Sequence, residues 1–195
     1  MSPAIKTRGH RARLAVAAFA GLVWFGGVHG VWAQTIPPSE YQVKAAFLFH
    51  FAQFVEWPAG TYKDAGSQLT YCTLGADPFH GALEASLNEK TVDGRPVRVL
   101  HLRQVQEAQG CQVLFIGILQ KEHIPKVLAS LNGNPVLTVG ESEHFAEQGG
   151  MIGFRLEDNK VRFEINLGAA NRAKLRISAR LLSLAKTVIG GPKGT

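Results

Sequence analysis

The chain has 195 residues, 21 of them Lys or Arg and 15 Asp or Glu, for a formal charge of +6. Four of the basic residues, Lys6, Arg8, Arg11 and Arg13, stand near the N-terminus with no acid among them, and without them the chain carries 17 basic against 15 acidic residues. So balanced a body offers no strong field for DNA or RNA, and it holds neither zinc-finger spacing nor an arginine-rich tract.

The run Leu14–Val28 is uncharged and mostly apolar, but its 15 residues are too few to cross roughly 30 Å of hydrocarbon comfortably. With the basic residues before it and Val31-Trp32-Ala33 after it, residues 1–33 read as a Sec-type signal peptide cleaved after Ala33. No twin-arginine pair is present, and no cysteine stands at the cleavage point. The rival reading, a retained anchor, also leaves the folded part outside the cytoplasm, so the expected location is the periplasm. Residues 34–195 then form one domain with a sizeable core.

After the linker Thr35–Pro38, Ser39 and Gln42 are spaced as a capping box, and a helix is expected from about Glu40 to Glu56, stopped by Trp57-Pro58. Its apolar residues exceed one stripe. Leu69–Leu74 reads as a strand, and Asp77-Pro78 as the start of a helix reaching Asn88. A turn at Asp93-Gly94 leads to a strand over Val97–Leu102, then a short helix over Gln104–Gln109. The near-continuous apolar run Cys111–Ile116 suggests a strand buried on both faces of a parallel sheet. A helix over Glu122–Leu131, a strand over Val136–Val139 and a short helical piece over Ser142–Glu147 follow, with Gly149-Gly150 as a turn. Met151–Leu156 and Val161–Ile165 alternate about Asp158-Asn159, predicting a hairpin with one buried and one wet face. The periodicity of Ala170, Ile177, Leu181, Leu184 and Val188 predicts a long helix over Gly168–Val188. The expected fold is therefore α/β: a single compact domain, a mostly parallel sheet flanked by helices, with a C-terminal β-hairpin and long helix.

Cys72 and Cys111 are the two cysteines. In an oxidising compartment such a pair is expected to be a disulfide, which the chain-entropy model values at roughly 4 kcal/mol for a loop of about 40 residues. The pair lacks the spacing of a metal site. No GxSxG, HExxH or phosphate-cradling glycine loop appears, so no catalytic set, metal or cofactor is expected. His50, His80, His101, His123 and His144 are dispersed; an enzyme would need a cleft gathering His50, His101 or His144 beside an acid. Two features could be recognition surfaces. The helix after Ser39 is rich in rings, and Tyr41, Phe49, Phe51 and Trp57 are candidates for a partner or dimer patch, unless the domain's own sheet and last helix cover them. Arg172, Arg176 and Arg180, with Lys174 beside them, would lie on one face of the C-terminal helix, either as a docking row for an acidic partner or as an ordinary solvated face.

The segments YQVKAAFLFHFAQFVEWP (41–58) and IGFRLEDNKVRFEINLGAANRAKLRISARLLSLAKTV (152–188), with Tyr71-Cys72 and the strand CQVLFIG between them, resemble the YfiR family of periplasmic proteins. The resemblance spans about Ser39 to Val188. It implies a compact exported α/β fold and a regulatory, non-enzymatic role. Better-understood members bind the periplasmic sensor domain of an inner-membrane diguanylate cyclase and repress it; release raises cyclic-di-GMP and favours biofilm. Family members often carry two disulfides; Cys72 and Cys111 fall on the first pair, and the second, near Ser142–Gly150, is absent here. The alternative reading is a periplasmic small-ligand binder feeding a sensory or transport system, favoured by a deep pocket lined by Arg172 or Arg176.

Overall fold

The structure, a computed structural model, describes residues 39–117 and 123–191. The leader 1–33 and the linker Thr35–Pro38 lie outside the described residues. Helix α1 (Glu40–Gln53) starts at the expected box: Ser39 Oγ accepts from the Gln42 amide at 3.3 Å, and Gln42 Oε1 accepts from the Ser39 amide at 2.7 Å. It ends three residues earlier than Glu56. Pro58 is not what stops it. Val55–Glu56 leave as strand β1 and pair antiparallel with β9 (Arg176–Ile177), while the Ser178 amide donates to Phe54 O at 2.9 Å.

Beyond β1 the chain builds β2 (Leu69–Leu74), α2 (Ala82–Leu87), β3 (Thr91–Val92), β4 (Arg95–Leu102), a 3-10 turn η1 (Val105–Gly110), β5 (Val113–Ile116), α3 (Ile124–Ser130) and β6 (Leu137–Gly140). The hairpin strands β7 (Ile152–Glu157) and β8 (Lys160–Asn166) follow, then α4 (Leu167–Arg172), β9, α5 (Ala179–Leu184) and β10 (Thr187–Ile189). The main sheet has eight strands in the order β10-β8-β7-β6-β5-β2-β4-β3. Neighbours from β4 to β7 are parallel; β3 joins β4 and β8 joins β7 antiparallel. Chain order reverses between β2 and β5, the doubly wound arrangement that opens a crevice beyond the carboxyl ends of the strands.

Every residue of β2, β5 and β6 is buried, because helices cover both sheet faces. On one face α1, α2, α4 and α5 pack on Tyr71, Phe115, Val139, Phe154 and Phe163. On the other, η1 and α3 cover Cys72, Leu74, Leu114 and Ile116. The disulfide Cys72–Cys111 forms as expected, with a Cα–Cα distance of 6.0 Å, and ties β2 to the end of η1.

Three further expectations are corrected. Helix α2 begins at Ala82 rather than after Pro78, since His80 (φ 48°) and Gly81 (φ 85°) adopt left-handed backbone. Asp77 Oδ1 accepts from the Phe79 amide at 3.0 Å, and the turn drives Phe79 into the core, 4.8 Å from the Phe115 ring. The start of β7 is buried on both faces, because Phe145 and Ala146 cover Gly153; only towards the tip does β7 meet water. The hairpin turn itself is as expected, with Asp158 (φ 48°) and Asn159 (φ 57°) both left-handed.

The third correction is the long helix over Gly168–Val188, which the structure divides into α4, β9, α5 and β10. Lys174 takes left-handed backbone (φ 58°), β-branched Ile177 pairs with Val55, and Ser178 Oγ caps a new helix through the Leu181 amide at 3.3 Å. Thr187–Ile189 then lie parallel to β8. The apolar period was partly misleading: Ile177 and Leu181 are buried, but Leu184 is 62% exposed.

Candidate partner-docking face

Helix α1 sorts its apolar residues into two stripes. One faces inward: Leu48 and Phe51 are fully buried, and Phe51 stacks on Phe154 at 5.6 Å and meets Phe163 edge-on at 5.0 Å. The other, Val43 and Phe47, looks along the hairpin. With Leu156 and Val161 they floor an open groove of about 500 Å³, edged by Glu40, Asn159, Lys160 and Arg162. Leu156 is 53% exposed. Among the described residues neither Lys160 nor Arg162 has an ion-pair partner, so the rim carries net positive charge.

A buried ionic brace holds the start of α1 beside this groove. Lys44 meets Glu141 Oε2 at 2.5 Å and also Glu40, and its ammonium lies 4.5 Å from the Tyr41 ring centroid. Tyr41 Oη donates to Glu141 Oε1 at 3.4 Å. Glu141 follows directly on β6, so the brace ties the first turn of α1 to a carboxyl end of the sheet. Burial pulls Lys44 down, but the hydrogen bonds and charges of Glu141 and Glu40 outweigh it and hold its ammonium above the usual lysine range. Burial, helped by the Glu141 charge, raises the Tyr41 phenol.

The aromatic candidates fare unevenly. Phe51 is fully buried and Phe49 9% exposed, so both belong to the core rather than to a surface patch. Tyr41 and Trp57 are half-buried; Trp57 Nε1 has no hydrogen-bond partner. The groove-lining pair Val43 and Phe47 escaped notice as a surface, although the excess of apolar residues on the helix was its signal. Leu156 could not be found from alternation, which places it on the covered face.

Nor do Arg172, Arg176 and Arg180 share a helical face, because α4 ends before β9 begins. Arg172 borders a narrow cavity of about 30 Å³ beside Leu128 and Leu131. Arg176 pairs with Glu56 at 3.6 Å, and the Arg180 guanidinium lies 5.5 Å from the Phe54 ring, so those two meet at the far end of α1. His101 does gather acid: its Nε2 is 2.7 Å from Glu84 Oε1, and its Nδ1 is 2.8 Å from Thr73 Oγ1. Thr73, however, is 2% exposed, and its hydroxyl is engaged inside the sheet. His50 is exposed and bonds Gln53, and His144 pairs with Glu147 in an exposed turn. Among the described residues no three His, Cys, Asp or Glu side chains converge to hold a metal ion, and no helix is long and apolar enough to cross a membrane.

The profile of YfiR/HmsC-like proteins matches residues 41–186, three quarters of the chain, and so includes Lys44 and Glu141 of the brace, the disulfide and the hairpin. The chain belongs to the YfiR/HmsC-like family. Among solved structures, it is similar to the ABC domain in complex with L-Trp from Streptococcus pneumonia, at 13% identity and a TM-score of 0.44, over 62% of this chain. The match spans about half of that domain's own chain, 55%.

Proposed function

We propose that the protein is a periplasmic regulator that binds a membrane-bound sensor, a diguanylate cyclase, and holds it inactive. The single observation that carries this reading is the groove between α1 and the β7–β8 hairpin on a member of the YfiR/HmsC-like family: an apolar floor, two unpaired cations on the rim, and a braced helix forming one wall. Such a surface suits a partner segment with apolar anchors flanked by acids. Docking would favour the inactive arrangement of the partner, a shift of population set by the difference in affinity for its two states. Arg176 and Arg180, with the accessible part of Trp57, are a proposed second contact area; Tyr41 serves the brace.

Deleting the gene in the native host should raise cyclic-di-GMP, and the wild-type gene should restore it. A Val43→Glu, Leu156→Glu double variant should accumulate normally yet fail to restore it. Unchanged cyclic-di-GMP on deletion would sink the reading. If the groove instead holds a second copy of the chain, the same variant would convert a dimer to a monomer in sedimentation while still restoring repression. The small-ligand alternative has no support beside Arg172 or Arg176, since the cavity next to Arg172 is too small for an organic ligand and Arg176 is open to solvent.

A further inference from the structure

The opposite face of the sheet holds a second hollow, remote in sequence from the groove. It has a volume of about 300 Å³ and opens beyond the carboxyl ends of β2 and β4. Leu74 ends β2 and Gly75 follows it, Arg103 follows β4, His123 precedes α3, and Lys126 and Val127 come from α3; Val105 of η1 closes the wall. The place is the one where open α/β sheets bind ligands, next to the reversal of strand order between β2 and β5.

The titratable side chains among its described lining residues are all basic. Arg103, His123 and Lys126 are exposed, and among the described residues none of their side chains has a hydrogen-bond or ion-pair partner. Glu107 of η1 is engaged with the backbone: its Oε2 accepts from the Arg103 and Gln104 amides at 2.9 and 3.3 Å. The floor is aliphatic, made by Leu74, Val105 and Val127 with no ring to stack on. The wall is fixed, because η1 is capped at Gln104 and anchored at its far end by the Cys72–Cys111 bridge.

We infer that this hollow is a binding site for a small aliphatic carboxylate, its head held by Arg103 and Lys126 and its hydrocarbon body on Leu74, Val105 and Val127. A guanidinium fork matches a carboxylate in two parallel hydrogen bonds, and the apolar floor adds affinity only for an anion that brings hydrocarbon to bury. The site is independent of the docking groove, so its occupancy is measured on the purified protein without any partner. Calorimetric titration with sodium hexanoate should show saturable one-to-one binding with a Kd below about 1 mM. An Arg103→Ala, Lys126→Ala double variant, both positions being exposed, should melt like the wild type and bind at least about tenfold more weakly. A Lys160→Ala, Arg162→Ala variant should bind as well as the wild type, and hexylammonium should not bind. Failure of hexanoate to saturate, unchanged affinity in the first variant, or equal binding of hexylammonium would each overturn the assignment.

Discussion

Lys44 illustrates how one residue can be polar by nature and structural by position. Its side chain is 4% exposed and that of Glu141 8%, so each charge depends on the other for solvation. Removing one partner of a buried pair is costlier than the pair is worth. Glu141→Ala should therefore destabilise the protein by about 3 kcal/mol in urea melts, at the low end for such losses because Glu40 still meets Lys44. Lys44→Met, which removes the charge and keeps the stem, should cost clearly less. The brace also has a pH signature. Lys44, Tyr41 and Tyr71 all titrate higher in the fold than their ordinary values of 10.5, 10.0 and 10.0, and burial takes Tyr62 up to about 12. Groups raised in the folded state bind protons more tightly there than in the unfolded chain. Their contribution is complete below about pH 10 and is lost as pH climbs through the folded values. Denaturation midpoints should hold steady from pH 8 to 9.5 and then fall steadily.

At the scale of elements, the disulfide is the most readily tested constraint. Replacing Cys72 and Cys111 together by Ala should cost about 4 kcal/mol if loop-closure entropy dominates, read from the shift in urea midpoint against the reduced wild type as control. The order of elements up to β8 was largely legible from the amino acids, because buried parallel strands such as Val113–Ile116 are continuous apolar runs and Ser39 announces its helix chemically. The segment Gly168–Val188 was not. Ala170, Ile177 and Leu181 keep a helical period by coincidence, and only the pairing of Ile177 with Val55 and the cap at Ser178 decide against one helix; both depend on parts of the chain far away in sequence. The docking groove was half legible: a surplus of apolar residues on α1 is visible in the sequence, but which of them face outward is set by where the hairpin lies. Leu156, at a position alternation assigns to the core, is 53% exposed, because burial along β7 fades towards its turn.

For the whole molecule, the two faces of the sheet divide the labour. The α1 face offers the groove, and the η1–α3 face offers the cationic hollow. Since the groove residues Val43 and Leu156 are partly exposed and unbraced, placing Glu at both should leave the melting temperature within about 2 °C of wild type, because surface changes away from special features cost little. A large drop would mean that the groove is part of the core. The clasp between β1 and β9 has a consequence in time. Val55 and Ile177 are 122 positions apart, and α1 packs on a hairpin formed late in the chain. A nascent polypeptide arrives with α1 first and its clasp last. The rings of the leading helix therefore stay wet until nearly the whole chain has been delivered, which makes folding slow and leaves a long interval in which a holdase can engage them.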